Sequence, residues 1–226
     1  MKKHIPNTLT CCNLISGCIS IVMAFEGHLE VASWMMVVAA GFDFLDGFSA
    51  RLLHSKSYIG KDLDSLADVV SFGVAPAMIL FVWMGKDYSG ILALLPFLVF
   101  IIPALSAIRL AKFNHDDRQL TEFRGLPTPA NALFLGFLHF LKPQFPFIDN
   151  GYLIIALAIV FSVFLVTDVK MFSLKFSNFK WTDNKIRFIF LLLSAVLLII
   201  FKFGALPLII LLFICLSLIN NLTNKK

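Results

Sequence analysis

Apolar segments about as long as a bilayer-spanning helix follow one another along most of the chain. A span takes roughly 20 predominantly apolar residues, and eight segments come close to that length: 8–25, 31–53, 65–84, 90–111, 128–142, 151–168, 186–202 and 205–221. With 59% hydrophobic and only 15% charged residues, the chain is also far more apolar than a typical soluble domain. The sequence therefore predicts an integral membrane protein, an all-α polytopic bundle with about eight transmembrane helices.

A chain of 226 residues leaves no room for a second folded module beside these segments, so we expect one domain. The first apolar run follows two lysines, as in a signal peptide, but no small-x-small cleavage site closes it, and we expect it to be the first span. The four cysteines lie in apolar stretches without CxxC spacing, which favours buried free thiols. They are Cys11, Cys12, Cys18 and Cys215.

The basic residues are distributed unequally between the two sides that eight spans define. Of the 19 Lys and Arg residues, 16 fall in the termini and loops of one side, and the other side holds only Lys86, Lys142 and Lys202. Positively charged loops face the cytoplasm, so we expect both termini and the basic loops there. Because these charges are spread over short loops and form no separate domain, we expect no nucleic-acid partner.

Four aspartates gather in the stretch 43–68, which reads DFLDGFSARLLHSKSYIGKDLDSLAD. On helices of about 3.6 residues per turn, the polar and small residues of this stretch fall on one face of each of two helices. The first face carries Asp43, Asp46, Gly47, Ala50 and Arg51, and the second carries Gly60, Asp64 and Asp68. The connection between them is short, so we expect antiparallel neighbours whose carboxylates converge near the cytoplasmic end.

Carboxylates gathered in a medium of low dielectric constant repel one another, so a cation has to hold them together. Oxygen ligands on a pair of helices suit Mg²⁺ or Mn²⁺. The small residues leave room for a bulky ligand, and Arg51 suits a phosphate group. The alternative from a different class is an ion-coupled transporter or channel, which predicts carboxylates near the bilayer midplane, scattered over several helices.

The spacing of these residues resembles the signature of the CDP-alcohol phosphotransferase family at every defined position. It runs Asp43-x2-Asp46-Gly47-x2-Ala50-Arg51-x8-Gly60-x3-Asp64-x3-Asp68. Other stretches resemble the membrane-embedded phosphatidylserine synthases of bacteria and archaea within that family. They are IPNTLTCCNLISG (5–17), LDSLADVVSFGVAPA (63–77), RLAKFN (109–114), FRGLPTPANA (123–132) and MFSLKF (171–176).

The resemblance implies a six-helix catalytic core, here residues 1–180, with residues 181–226 adding two helices to the same domain. It also implies a homodimer in the cell (inner, cytoplasmic) membrane, with an active site open to the cytoplasmic leaflet. The implied reaction transfers the phosphatidyl group of CDP-diacylglycerol to L-serine and gives phosphatidylserine and CMP. The cofactor would be Mg²⁺ or Mn²⁺.

Residue roles follow from the same resemblance, position by position. Asp43, Asp46 and Asp64 look like metal ligands, and Asp68 like a residue shared between a second metal site and the catalytic base. The candidates for binding CDP-diacylglycerol are Gly47, Ala50, Arg51, Ser57 and Gly60, with Asn13 and Thr10 on the first span.

Serine brings a carboxylate that needs a cation. Arg109, Lys112 and Arg124 are the nearest candidates on the cytoplasmic side. Arg109 is preferred because a guanidinium binds a carboxylate through two parallel hydrogen bonds, and the alternative is that all three set orientation or bind lipid head groups. Another acceptor within the family, such as glycerol phosphate, an inositol phosphate or an amino alcohol, also remains open.

Overall fold

The computed structural model describes residues 4–54, 58–85, 90–115, 123–172, 178 and 180–223, and most of these residues are helical. The α-helices are α1 (His4–Phe25), α2 (Leu29–Leu52), α3 (Gly60–Asp68), α4 (Ala75–Trp83), α5 (Ile101–His115), α6 (Thr128–Gly136), α7 (Gly151–Val166), α8 (Trp181–Phe201) and α9 (Ala205–Thr223). A π-helical segment, Val69–Val74, joins α3 to α4, and 3₁₀ segments occupy Gly90–Phe100, Leu138–Leu141, Pro146–Asp149 and Lys202–Gly204. The predicted all-α fold is confirmed.

Within the described ranges, five continuous helical stretches are long and apolar enough to cross a membrane. They are His4–Phe25, Leu29–Leu52, Gly60–Trp83, Gly90–His115 and Asn184–Thr223, and α7 is a shorter apolar helix. The last stretch has 40 residues, about twice what one span needs. Lys202, with a φ of +50°, breaks it into α8 and α9, which pack against each other. The protein is a polytopic helix bundle.

The third span begins earlier than its hydropathy predicts. Its expected start was residue 65, whereas α3 begins at Gly60, because the polar turn that precedes the apolar run is itself helical. Directly after Asp68, the π-helical segment widens the backbone for six residues. Segments of this kind are frequent at functional sites, since they displace side chains from the regular helical positions.

Helix α1 packs along α2 and against α3, the π-helical segment and α4. It therefore lies between the two helices that carry the four aspartates. Buried apolar side chains form two clusters, one around α1, α2 and α4 and the other around α4, α5, α6 and α7. In the second cluster the rings of Phe134 and Phe161 stack with their centroids 3.6 Å apart.

A two-stranded antiparallel ladder fixes the chain where it enters α6. Strand β1 (Phe123–Arg124) pairs with β2 (Lys170–Met171). The next two residues continue the attachment: the Gly125 N–H donates to Val169 O at 2.9 Å, and the Leu126 N–H donates to Phe164 O at 3.1 Å. Gly125 has a φ of +72°, and a Cβ there would lie 2.6 Å from Leu165 O. Glycine is thus required for this close approach to α7.

The expectation of buried cysteines is wrong. All four thiols are free, but three are exposed on the helix surface and Cys12 is half-buried. An apolar stretch in a membrane protein does not separate core positions from lipid-facing ones, since lipid tails are as apolar as a protein core.

Candidate metal and substrate site

Three of the four aspartates converge between α2 and α3. Asp43 comes from α2, while Asp64 and Asp68 lie one turn apart on α3, and one carboxylate oxygen of each lies within 4.8 Å of the other two. Asp68 is buried, whereas Asp43 and Asp64 are half-buried. Carboxylates this close need a proton or a cation between them.

The donor set suits a divalent ion. Asp64 Oδ1 is buried and accepts no hydrogen bond from any described residue, so it is a polar atom that still needs a partner. Hard cations such as Mg²⁺ bind carboxylate oxygens and complete their coordination with water or substrate phosphate. The acidic triad of Asp43, Asp64 and Asp68 can therefore bind a metal ion.

Asp46, the fourth predicted ligand, lies beside this triad and is turned toward α1. Its Oδ2 atom accepts a hydrogen bond of 2.6 Å from the Thr10 hydroxyl, and its side chain is buried. The Asp46 charge still acts on Asp43 and Asp64. The structure thus brings all four aspartates into one region but gives Asp46 a protein partner of its own.

Helix α1 also contacts the buried end of the triad. Asn13 Nδ2 donates to Asp68 Oδ1 at 3.2 Å, and the Ser71 hydroxyl donates to Asn13 O at 3.0 Å. One turn further along α1, Gly17 lies against Ser71. Thr10 and Asn13, which were predicted to contact the donor lipid, therefore hold Asp46 and Asp68 in place.

The small residues predicted to admit the donor lie on the open side of the triad. A Cβ at Gly47 would meet no atom of the described residues within 4 Å, and Gly47 is exposed. Ala50 and Gly60 are half-buried, and the exposed Arg51 donates from Nε to Gly47 O at 3.0 Å. Ser57 lies outside the described residues.

Of the three predicted serine ligands, Arg109 is the buried one. It is buried to 9% exposure on α5, and its charge interacts with that of Asp68. Its Nη1 atom donates to the Thr128 hydroxyl at 3.0 Å, and its guanidinium carbon lies 5.2 Å from the centroid of the Phe113 ring. A buried guanidinium held on two sides has little freedom to turn away from the site.

The other two predicted serine ligands lie further out. Lys112 is exposed in the last turn of α5. Arg124, on β1, forms an ion pair of 3.0 Å with Asp168, beside the ladder.

Several polar residues near the site had no role assigned from sequence. Thr128 holds Arg109, Ser71 holds α1, and Ser106 and Asn131 are fully buried on α5 and α6. Near the last turn of α5, Lys61 Nζ donates to Asn114 O, and Asn114 Nδ2 donates to the Ser65 hydroxyl at 2.8 Å. These two bonds connect α5 to α3. The available signal was a polar residue inside an apolar segment, which becomes informative only once its neighbours are known.

The sequence profile of the CDP-alcohol phosphatidyltransferase family matches residues 3–164. The chain belongs to this family, the class of protein that its helical bundle and acidic site define. Members of the family are generally dependent on a divalent metal ion.

Similar proteins carry a more specific name, CDP-diacylglycerol–serine O-phosphatidyltransferase. The one from Helicobacter pylori (strain ATCC 700392 / 26695) is 30% identical over 195 residues, which cover 84% of this chain and 80% of that protein. The one from Methanocaldococcus jannaschii is 35% identical over 169 residues, covering 74% of this chain and 72% of that protein. The one from Bacillus subtilis (strain 168) is 36% identical over 143 residues, covering 61% and 76%.

Proposed function

We propose that this protein transfers the phosphatidyl group of CDP-diacylglycerol to the hydroxyl of L-serine, giving phosphatidylserine and CMP. One observation carries the proposal: three carboxylate oxygens from α2 and α3 lie within 4.8 Å of one another. A second feature, the buried guanidinium of Arg109 on α5, agrees with it. The first feature suits a metal-bound diphosphate, and the second suits an acceptor that carries a carboxylate. The family match and the names of the relatives support the same reaction.

Asp43, Asp64 and Asp68, with Asp46 beside them, would hold Mg²⁺ or Mn²⁺. A divalent ion bound there would neutralise the diphosphate of the donor and stabilise the departing CMP. The open surface at Gly47, with Ala50 and Gly60, would let the cytidine diphosphate approach the backbone. Arg51 and Ser57 are the proposed phosphate and nucleotide contacts, while Thr10 and Asn13 contribute from α1.

Asp68 is the proposed catalytic base. It accepts the proton of the serine hydroxyl as the serine oxygen forms a bond to the phosphorus that carries the diacylglycerol. The bond from that phosphorus to the bridging oxygen breaks, and CMP leaves with the electron pair. Arg109 binds the serine carboxylate and thereby holds the hydroxyl near Asp68, and Lys112 and Arg124 are secondary contacts for serine or for lipid head groups.

The remaining proposals concern the architecture. Residues 1–180 form the catalytic core and 181–226 contribute a further helical pair; the family match, which ends at residue 164, supports that division. The protein is a homodimer in the cell membrane, with both termini and the active site on the cytoplasmic side. The unequal division of the 19 Lys and Arg residues supports this orientation.

Incorporation of labelled serine by the purified full-length protein tests the reaction. With CDP-diacylglycerol in mixed micelles and Mg²⁺ or Mn²⁺, we expect labelled phosphatidylserine and an equal amount of CMP, both abolished by a chelator. Incorporation of glycerol phosphate or inositol phosphate in place of serine would refute the proposed acceptor. Turnover that survives complete removal of divalent ions would refute the metal site.

Asp68→Asn tests the catalytic base. We expect turnover to fall at least about 100-fold, because the amide cannot accept the hydroxyl proton and is a poorer metal ligand. Asp62→Asn is the matched control, since Asp62 is an exposed acid in the first turn of the same helix. Full turnover by Asp68→Asn, or an equal loss in both variants, would remove Asp68 from the mechanism.

A further inference from the structure

Two further buried polar residues, Ser106 and Asn131, lie one helical turn from the contact between Arg109 and Thr128. Arg109 on α5 donates from Nη1 to the hydroxyl of Thr128, the first residue of α6, at 3.0 Å. Three residues back along α5 comes Ser106, and three residues forward along α6 comes Asn131. Residues three apart share a helix side, so Ser106 and Asn131 each lie on the side of their helix that carries the Arg109–Thr128 contact.

The next turn of each helix is apolar. Ile102 on α5 and Leu135 on α6 are four residues beyond Ser106 and Asn131, respectively, and both are fully buried in the same apolar cluster. The π-helical segment approaches from a third side, because a Cβ at Gly73 would lie 3.3 Å from the Cβ of Ser106. Along its own helix, each of Ser106 and Asn131 thus lies between a buried apolar residue and the Arg109–Thr128 contact.

The polar atoms of this pair have no partner within the part of the chain that the structure describes. Asn131 is 0% exposed, and neither its Nδ2 nor its Oδ1 atom makes a hydrogen bond there; Ser106 is also 0% exposed, and its Oγ atom is equally unpaired. Buried amides and hydroxyls are nearly always hydrogen-bonded in folded proteins. Two such residues, each one helical turn from the contact between the buried Arg109 guanidinium and Thr128, point to a ligand that completes their bonds.

We infer that Ser106 and Asn131 bind the head group of the acceptor and select a zwitterionic α-amino acid. This inference rests on the proposed function, with Arg109 on the acceptor carboxylate and Asp68 on its hydroxyl. Asn131 Oδ1 and Ser106 Oγ accept hydrogen bonds from the α-ammonium group, and Asn131 Nδ2 donates to the adjacent carboxylate. An amide presents a donor and an acceptor side by side, which matches a group carrying both charges.

The same chemistry disfavours the rival acceptors. A phosphate ester carries two negative charges and offers mainly acceptor atoms, whereas Ser106 and Asn131 add no positive charge to the single guanidinium above them. An amino alcohol brings no carboxylate to that buried guanidinium, whose charge then stays without the anionic partner that serine supplies, which is costly. Sites built from buried hydrogen-bonding groups reject analogues that leave those groups without partners.

Steady-state kinetics of Asn131→Leu and Ser106→Ala test the inference, with the full-length protein in CDP-diacylglycerol micelles. For Asn131→Leu we expect the KM for serine to rise about 10- to 100-fold, the loss of one or two hydrogen bonds to a charged group, while the KM for CDP-diacylglycerol stays unchanged. Ser106→Ala should raise the serine KM by a smaller factor. Ser162→Ala is the matched control, because Ser162 on α7 is also fully buried with its Oγ unpaired among the described residues.

Glycerate keeps the carboxylate of serine and replaces its amine by a hydroxyl. A folding defect lowers the turnover of serine and glycerate alike, whereas loss of ammonium recognition changes the preference between them. Wild-type protein should prefer serine strongly, and Asn131→Leu should lose most of that preference. If Asn131→Leu does not fold, the ratio of serine turnover to glycerate turnover is compared between Ser106→Ala and Ser162→Ala. We expect this ratio to fall in Ser106→Ala and to stay at the wild-type value in Ser162→Ala.

An unchanged preference for serine in the variants, or equal increases in the KM of both substrates, would overturn the inference and leave the proposed function standing. Wild-type protein that accepts glycerol phosphate and not serine would overturn both.

Discussion

Replacing Gly17 by alanine should disturb the site from outside the acidic cluster. A Cβ at this position would lie 2.8 Å from the Cα and 3.0 Å from the Cβ of Ser71. Carbon atoms pack at about 3.5–4.0 Å, so α1 and the π-helical segment have to separate by roughly 1 Å. The contact involves the backbone of Ser71, and a side-chain rotation cannot relieve it.

The separation acts on two hydrogen bonds that orient Asp68. Ser71 Oγ lies 3.0 Å from Asn13 O, and Asn13 Nδ2 lies 3.2 Å from Asp68 Oδ1. The second bond is already near the upper limit of hydrogen-bond length, so a further displacement breaks it. Overpacking of this size costs about 1–3 kcal/mol of the free energy of unfolding, and a misplacement of roughly 1 Å at a reacting group can lower turnover about 100-fold.

The assay is phosphatidylserine formation by Gly17→Ala, measured together with the midpoint of thermal unfolding. We expect turnover to fall about 100-fold and the midpoint to fall by about 2–10 °C. Gly41→Ala on α2 is the control, because a Cβ there would meet no atom of the described residues within 4 Å. Wild-type turnover by Gly17→Ala would refute the claim that the close approach of α1 positions the catalytic aspartate, and an equal loss in Gly41→Ala would show a general effect of added helix propensity.

Two further predictions concern the hydrogen bond between Thr10 and Asp46, inside the site, and the ion pair between Arg124 and Asp168, outside it. Thr10→Val removes the hydroxyl that donates to Asp46, and the Mg²⁺ concentration for half-maximal turnover should rise about tenfold, the value of a hydrogen bond to a charged group; Thr8→Val, at an exposed hydroxyl of the same helix, should match the wild type. Arg124→Ala and Asp168→Ala each break a partly exposed ion pair, so both should change the serine KM and the stability alike and by less than about 1 kcal/mol. A large rise in the serine KM for Arg124→Ala alone would instead make that arginine a direct serine ligand.

The cysteines and the third span show where hydropathy fails in a membrane protein. Cys11 and Cys18 were expected inside because they sit in apolar stretches, yet both face outward. Hydropathy reports that a segment prefers a non-aqueous medium, and both lipid and protein core supply one. Likewise, the start of α3 at Gly60 was not visible in hydropathy, since a polar helical turn has no apolar signal.

For the four aspartates, helix spacing predicts one part of the arrangement and helix packing determines the rest. Asp64 and Asp68 were predictable as a pair, because a spacing of four residues on a helix places two side chains on one side whatever surrounds them. That Asp43 completes a triad with them, while Asp46 turns to Thr10, depends on how α1 fits between α2 and α3. No residue near Asp46 in the sequence indicates Thr10, which lies 36 positions away.

By itself, the sequence determined the apolar segments, their helical character and the side on which each local set of polar residues lies. These properties depend on transfer free energy and on the helical repeat, and both act within a continuous segment. Only the tertiary structure decided which aspartates meet, that Arg109 is buried while Arg124 pairs with Asp168, and that Ser106 and Asn131 are buried with unpaired polar atoms. Those relations depend on the depth and rotation at which distant helices pack, which many side-chain contacts set together and no single stretch of sequence contains.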